Sequence, residues 1–265
     1  MSSLALMGFF FIDPVYVVMV LIPGLVIAGG ASLLVKSRFA KYSRRMTRSR
    51  ITGAQAAQIV MERAGITDVT IEQSRGFLSD HYDPRTKTLR LSHENYVGSS
   101  VAAVSVAAHE AGHALQHAKG YAPLSLRSSL VPLAGFGSNI GYFVMLIGLI
   151  MQASGVVLIG AGLFSLVLLF QVVTLPVEFD ASSRAKVELE NAGIIALEER
   201  EGVSKVLNAA ALTYVAAVVN TLLLLLYFLM RSGLLNSDDK PRIKKRAILA
   251  ISIIAPKTQT RESVF

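Results

Sequence analysis

The sequence predicts a mainly α membrane protein, with about four transmembrane helices and a small α+β domain that carries a histidine-rich helix at the membrane surface. Three observations predict it. The 265-residue chain is 52% hydrophobic with a mean hydropathy of +0.52, more apolar than an ordinary soluble domain of that size. Its uncharged stretches are long enough to cross a hydrocarbon core of about 30 Å. Between the first two of them lies a polar segment with both helical and alternating patterns, and within it stands VAAHEAGHALQH, residues 106 to 117.

In chain order, residues 1–35 are an N-terminal segment and the first span, Pro14 to Val35, 22 residues without a charge. No basic segment precedes this span and it is too long for a typical cleaved signal core, so a retained signal anchor is expected. Residues 36–127 form the α+β domain. There Thr52 and Gln55 make a capping-box pattern ahead of AQAAQIVMERAG, a helix that should stop at Gly65. DVTIEQS and TKTLRLS read as short strands separated by the turn-rich SDHYDPRT. After VGSS, a helix runs through VAAVSVAAHEAGHALQHAK to its stop at Gly120. Residues 128–177 hold no charge and form a transmembrane hairpin, with spans near 131–151 and 156–177 and a tight turn at QASG. A membrane-proximal segment, 178–205, leads to a fourth span, 206–230, and a basic tail, 231–265, in which KPRIKKRAILAISIIAP suggests an interfacial helix.

The net charge of +8 and pI of about 9.8 point to anionic lipid rather than nucleic acid, because the basic residues cluster beside apolar segments. Seven lie between Lys36 and Arg50. Near the span ends, thirteen Lys and Arg fall on the side of the histidine-rich helix and six on the other, a balance that favours the cytoplasmic side for that helix; the expected setting is a bacterial cytoplasmic membrane. The chain has no cysteine, so any metal must be held by His, Asp or Glu. No feature specifies an oligomeric state.

Within the helix, His109 and His113 stand four residues apart and project from one face, with Glu110 beside them. HExxH is the zincin arrangement: two imidazoles bind zinc and the glutamate takes a proton from water. A catalytic zinc takes a third protein ligand. His117 continues the series, but it lies about 12 Å from His109 along the axis while zinc bonds are ~2 Å, so it is a supporting polar residue. No acid occurs between His117 and residue 177. Glu178 is the first, and two crossings return the chain to the side it left. Asp180 is the competing candidate, with Glu188 and Glu190 farther off. On a helix Glu178 and Ser182 share a face, whereas Asp180 is directed away and supports from behind or meets solvent. His81, Tyr82 and Arg184 are candidate donors to an oxyanion, and TKTLRLS is a candidate edge strand for an extended peptide, although an ordinary strand is the simpler reading.

HEAGHALQHAKGYAPL, the upstream DHYDPRTK and the downstream LPVEFDAS together resemble the YugP-like family of membrane-bound neutral zinc metallopeptidases, over roughly residues 36 to 231. The resemblance implies a zinc endopeptidase built into a membrane, with His109, His113 and Glu178 as ligands and Glu110 as base; because Glu178 directly follows a span, membrane or membrane-proximal proteins are the expected substrates. The chain is more distantly similar to the prenyl-protein and heat-shock membrane metallopeptidases, whose third ligand opens an ExxxD pattern. Here Ser182 stands in place of that Asp. The rival class is a catalytically silent zinc-binding scaffold, against which the intact Glu110 speaks. A transporter is disfavoured by spans without ionisable acids or bases other than tyrosine.

Overall fold

The computed structural model describes residues 13–76 and 79–235. Among these residues, four helices are long and apolar enough to cross a membrane. The first, α1 (Pro14–Ser43), opens behind an Asp13 cap, includes a π turn at Val17–Leu21, and presents Val18, Leu25, Val26 and Leu33 outward, as a lipid-facing helix does. It does not end at Val35. No helix breaker follows, so it extends to Ser43, and buried Tyr42 docks this extension on the remainder of the molecule.

Next comes α2 (Gly53–Arg63), closed at its start by the reciprocal Thr52–Gln55 capping box and stopped by Gly65 at φ +74°. Three strands follow: β1 (Thr70–Ser74), β2 (His81–Asp83) and β3 (Thr88–Ser92), in sheet order β1-β3-β2. β1 is parallel to β3 and β2 is antiparallel to it. Two expectations are corrected here. The SDHYDPRT stretch is not all turn, because His81–Asp83 pairs with Thr88–Arg90 and only Pro84–Lys87 makes the reversal. TKTLRLS is not an edge: β3 is the central strand, paired with β1 over Thr88–Ser92 and with β2 over Thr88–Arg90.

A short α3 (His93–Val97) leads to α4 (Val101–Ala118), the helix of the HExxH motif, started by the Ser100 side chain and ended before Gly120 at φ +62°. Fourteen of its 18 residues are buried. It can be buried almost all round because alanine dominates it, and small side chains let α2, the sheet and the long helices approach from several directions at once.

The hairpin is α5 (Ala122–Ile150), with a π turn at Gly137–Gly141, and α6 (Ser154–Asn191), joined at Gln152, which adopts φ +53°. Its arms touch backbone to backbone: a Cβ at Gly141 would lie 2.6 Å from the Phe164 nitrogen, one at Gly148 2.6 Å from the Val157 nitrogen, and one at Gly160 2.5 Å from that of Met145. Small residues at such crossings are the means by which helices associate in lipid, where hydrophobicity does not separate protein from solvent. The last helix, α7 (Arg200–Arg231), packs against α1 and α6. Two apolar cores result. One joins α2, α4, β3, the end of α6 and the start of α7, and the other, around Met145, Phe164, Tyr227 and Phe228, lies within the spans. The interfacial helix expected in 236–265 falls outside the described residues.

Candidate metal centre

The helix α6 continues unbroken through Pro176 past the expected span end, and α4 crosses it there at close range. Gly112, inside HEAGH, makes the approach possible: a Cβ on it would lie 2.6 Å from the Ala181 carbonyl oxygen. With Ala108, Ala111, Ala181 and Ala185 all buried at 0% exposure, the two helices bring their functional side chains into one place.

That place holds His109, His113 and Glu178, whose ligand atoms all lie within 4.8 Å of one another. Glu178 Oε2 is 3.1 Å from His109 Nε2 and 3.6 Å from His113 Nε2. Glu178 is 2% exposed, His113 7% and Glu110 8%. The outer nitrogens are committed elsewhere. Gln116 donates through Nε2 to the Val177 carbonyl (2.7 Å) and to Asp180 (2.8 Å), so its Oε1 is the acceptor for His113 Nδ1 at 3.0 Å. His109 Nδ1 lies 3.1 Å from Ser182 Oγ. With the ring protons on Nδ1, both Nε2 atoms are acceptors aimed at an acceptor oxygen. Three converging lone-pair donors need a cation between them, and a set of two imidazoles and one carboxylate suits zinc.

The other candidates divide by position. Ser182 stands four residues after Glu178, on the same face of α6, and contacts His109 through Oγ. Asp180 is partly open to solvent and links Gln116 to Arg184, whose Nε is 2.6 Å away. Arg184 is thereby held on Asp180, with its guanidinium over Tyr121, and it lines neither of the two cavities beside the ligand residues. His117 touches no ligand. Its Nδ1 lies 2.8 Å from the Tyr82 hydroxyl, and burial, with the charges of Asp68 and Asp83, pushes that phenol up to about 12, so it stays protonated. His81 and Tyr82 line a cavity next to the three ligand residues. His81 Nδ1 donates to the Ser79 carbonyl at 2.9 Å, so its Nε2 can donate only when the ring is cationic.

Four further residues stand at the site beside those candidates. Gln116 is fully buried behind His113. Arg127 places Nη1 3.5 Å from Glu178 Oε1. Tyr214, from α7, and Asp80 line the cavities on both sides of Glu110. Asp80 lies inside DHYDPRTK and accepts from Ser92 N (2.7 Å) and Asn95 Nδ2 (3.0 Å), which pins the loop before β2 beside the site.

Residues 17–233 match the family described as "Putative neutral zinc metallopeptidase". The chain belongs to that family. A relative from Bacillus subtilis (strain 168), named "Putative membrane protease YugP", is 46% identical over 200 residues, covering 76% of this chain and 89% of the relative. No solved structure matches. The family's metal is zinc, the membrane setting agrees with four apolar helices, and the donor set described above fits the ion.

Proposed function

We propose that this chain is a membrane-embedded zinc endopeptidase, with His109, His113 and Glu178 as metal ligands, Glu110 as general base and the site on the cytoplasmic face. The observation that carries the reading is the meeting of Glu178, from beyond the hairpin, with two imidazoles one helical turn apart on α4. When bound, zinc lowers the pKa of water to near neutrality and polarises a peptide carbonyl. The other work falls to side chains. Gln116 and Ser182 hold the two imidazoles with their lone pairs inward. Glu110 lines both cavities and takes the proton of the attacking water, then passes it to the leaving nitrogen. Arg127 satisfies the second oxygen of Glu178 and offers its other N–H groups to the cavity, where a carbonyl oxygen gaining charge would meet them.

Because Glu178 stands at the end of a span, the peptides in reach are those of membrane proteins or of segments next to the bilayer. Cytoplasmic placement follows from the Lys and Arg excess on this side. The deciding experiment compares Glu110→Gln with Glu178→Ala in native membranes. The first should keep its zinc and lose proteolysis by about 100-fold or more, and the second should lose zinc. Retained biological effect in the Gln variant would instead identify a scaffold. Equal turnover of a soluble unfolded protein and of membrane substrates would remove the membrane-proximal specificity.

A further inference from the structure

Glu110 sits between two cavities, of about 150 and 190 Å³, that share His109, Glu110, Glu178, Asp80 and Tyr214. They differ in their far walls. The larger runs to His81, Tyr82 and Arg127. The smaller runs between membrane helices, with Val35 and Phe39 of α1, Val106 of α4, and Val206, Ala210 and Ala211 of α7 among its walls. A peptide laid across Glu110 has to place the residues on the two sides of its cleaved bond in these two spaces.

We propose that the smaller cavity is a side-chain pocket that selects a large aliphatic or aromatic residue on one flank of the cleaved bond, an inference that rests on the peptidase reading above. The cavity is polar where it meets Glu110 and the ligand residues and apolar at its far wall, and about 150 Å³ is room for a benzene-sized group. A leucine or phenylalanine side chain fits that description, and a charged or small polar one leaves the walls without contact. Ala210 and Ala211 create the space, since longer side chains at either position would enter it. The pocket also opens between two helices whose outer surfaces are lipid-facing, so the residues it takes are those that abound in and beside membrane spans.

The test presents the zinc-loaded wild type, in lipid, with a peptide library, and cut sites are mapped by mass spectrometry. Leu, Ile, Met and Phe should be enriched on one flank only. Ala210→Leu fills the pocket and should lower kcat/KM for Leu and Phe there by about 10-fold or more relative to Ala, while Val206→Ala enlarges it and should shift preference toward Phe. The affinity of uncut peptides for the Glu110→Gln protein should repeat the same Leu-to-Ala ratio. If Ala210→Leu does not fold, the shift in Val206→Ala and the binding ratio decide. Equal use of small and large residues on both flanks, or an unaltered ratio in the folded pocket variants, overturns the pocket and leaves the peptidase in place. A wild type that cuts neither library nor membrane substrates overturns the peptidase reading, and the pocket with it.

Discussion

At the scale of single residues, the site depends on protons being held where they do no harm. Gln116 keeps the His113 proton on Nδ1, and Gln116→Leu should lower zinc affinity about 10- to 100-fold with the fold retained, measured by competition with a chelator. Acidity acts on the same ring. Burial pushes His113 down, but the Glu178 carboxylate beside its Nε2 and the charge of Glu110 push it up by more, and its pKa ends above the ordinary 6.5. Metal requires the neutral ring, so the proton becomes a competitor already above that value. Zinc titrations from mildly alkaline to mildly acidic pH should therefore show steadily weaker binding, with proton release on loading; pH-independent affinity would contradict it. His109, Glu110 and His113 are legible in the sequence because four residues make one helical turn, and Glu178 because the chain has no acid between the motif and it. Gln116, Arg127 and Tyr214 are not. A neutral amide, one arginine among many and a tyrosine on a span acquire their meaning only from which helix faces meet, and one sequence does not show that.

At the scale of elements, the crossing of α4 and α6 is the part that tolerates least. Gly112→Ala would put a methyl group against the Ala181 carbonyl, and a carbonyl in a helix cannot swing aside. The change should destabilise by about 1–3 kcal/mol, and separating the helices draws Glu178 from the histidines, so zinc content should fall with thermal stability. Larger side chains at Ala108 and Ala111 should meet the same resistance, since both are fully closed in along this helix. The helices and their caps are legible: Thr52 with Gln55, Gly65 and Gly120 all stand where local rules put them. β2 is not, because three residues among turn formers gain their strand geometry only by pairing with β3. The extension of α1 to Ser43 escapes a hydropathy reading for a related reason: the charge that ends a span does not end a helix.

At the scale of the molecule, the proposed ion ties α4 to the transmembrane hairpin at one end of a contact that the Gly112–Ala181 packing and a shared apolar core also make. Removing zinc should accordingly loosen their contact before it affects either core. Chelation in lipid should lower Tm, by an amount that corresponds to about 2.7 kcal/mol when free zinc had been 100 times its Kd. Hydrogen exchange should rise at the end of α4 and around Glu178 while the glycine-packed arms stay protected. Glu110→Gln should show the same chelator response and Glu178→Ala almost none. The overall plan is legible, since hydropathy finds spans whatever they pack against; the twofold division of the core is not, because apolar residues facing lipid and facing protein look alike in sequence. The carboxylate arrives 69 residues after His109, beyond two crossings. At ribosomal speeds that interval is on the order of several seconds, during which the nascent chain already exposes both histidines and the base. On the ligand set proposed above, the chain cannot hydrolyse anything until that carboxylate arrives, and insertion of the hairpin would double as a safety catch on biogenesis.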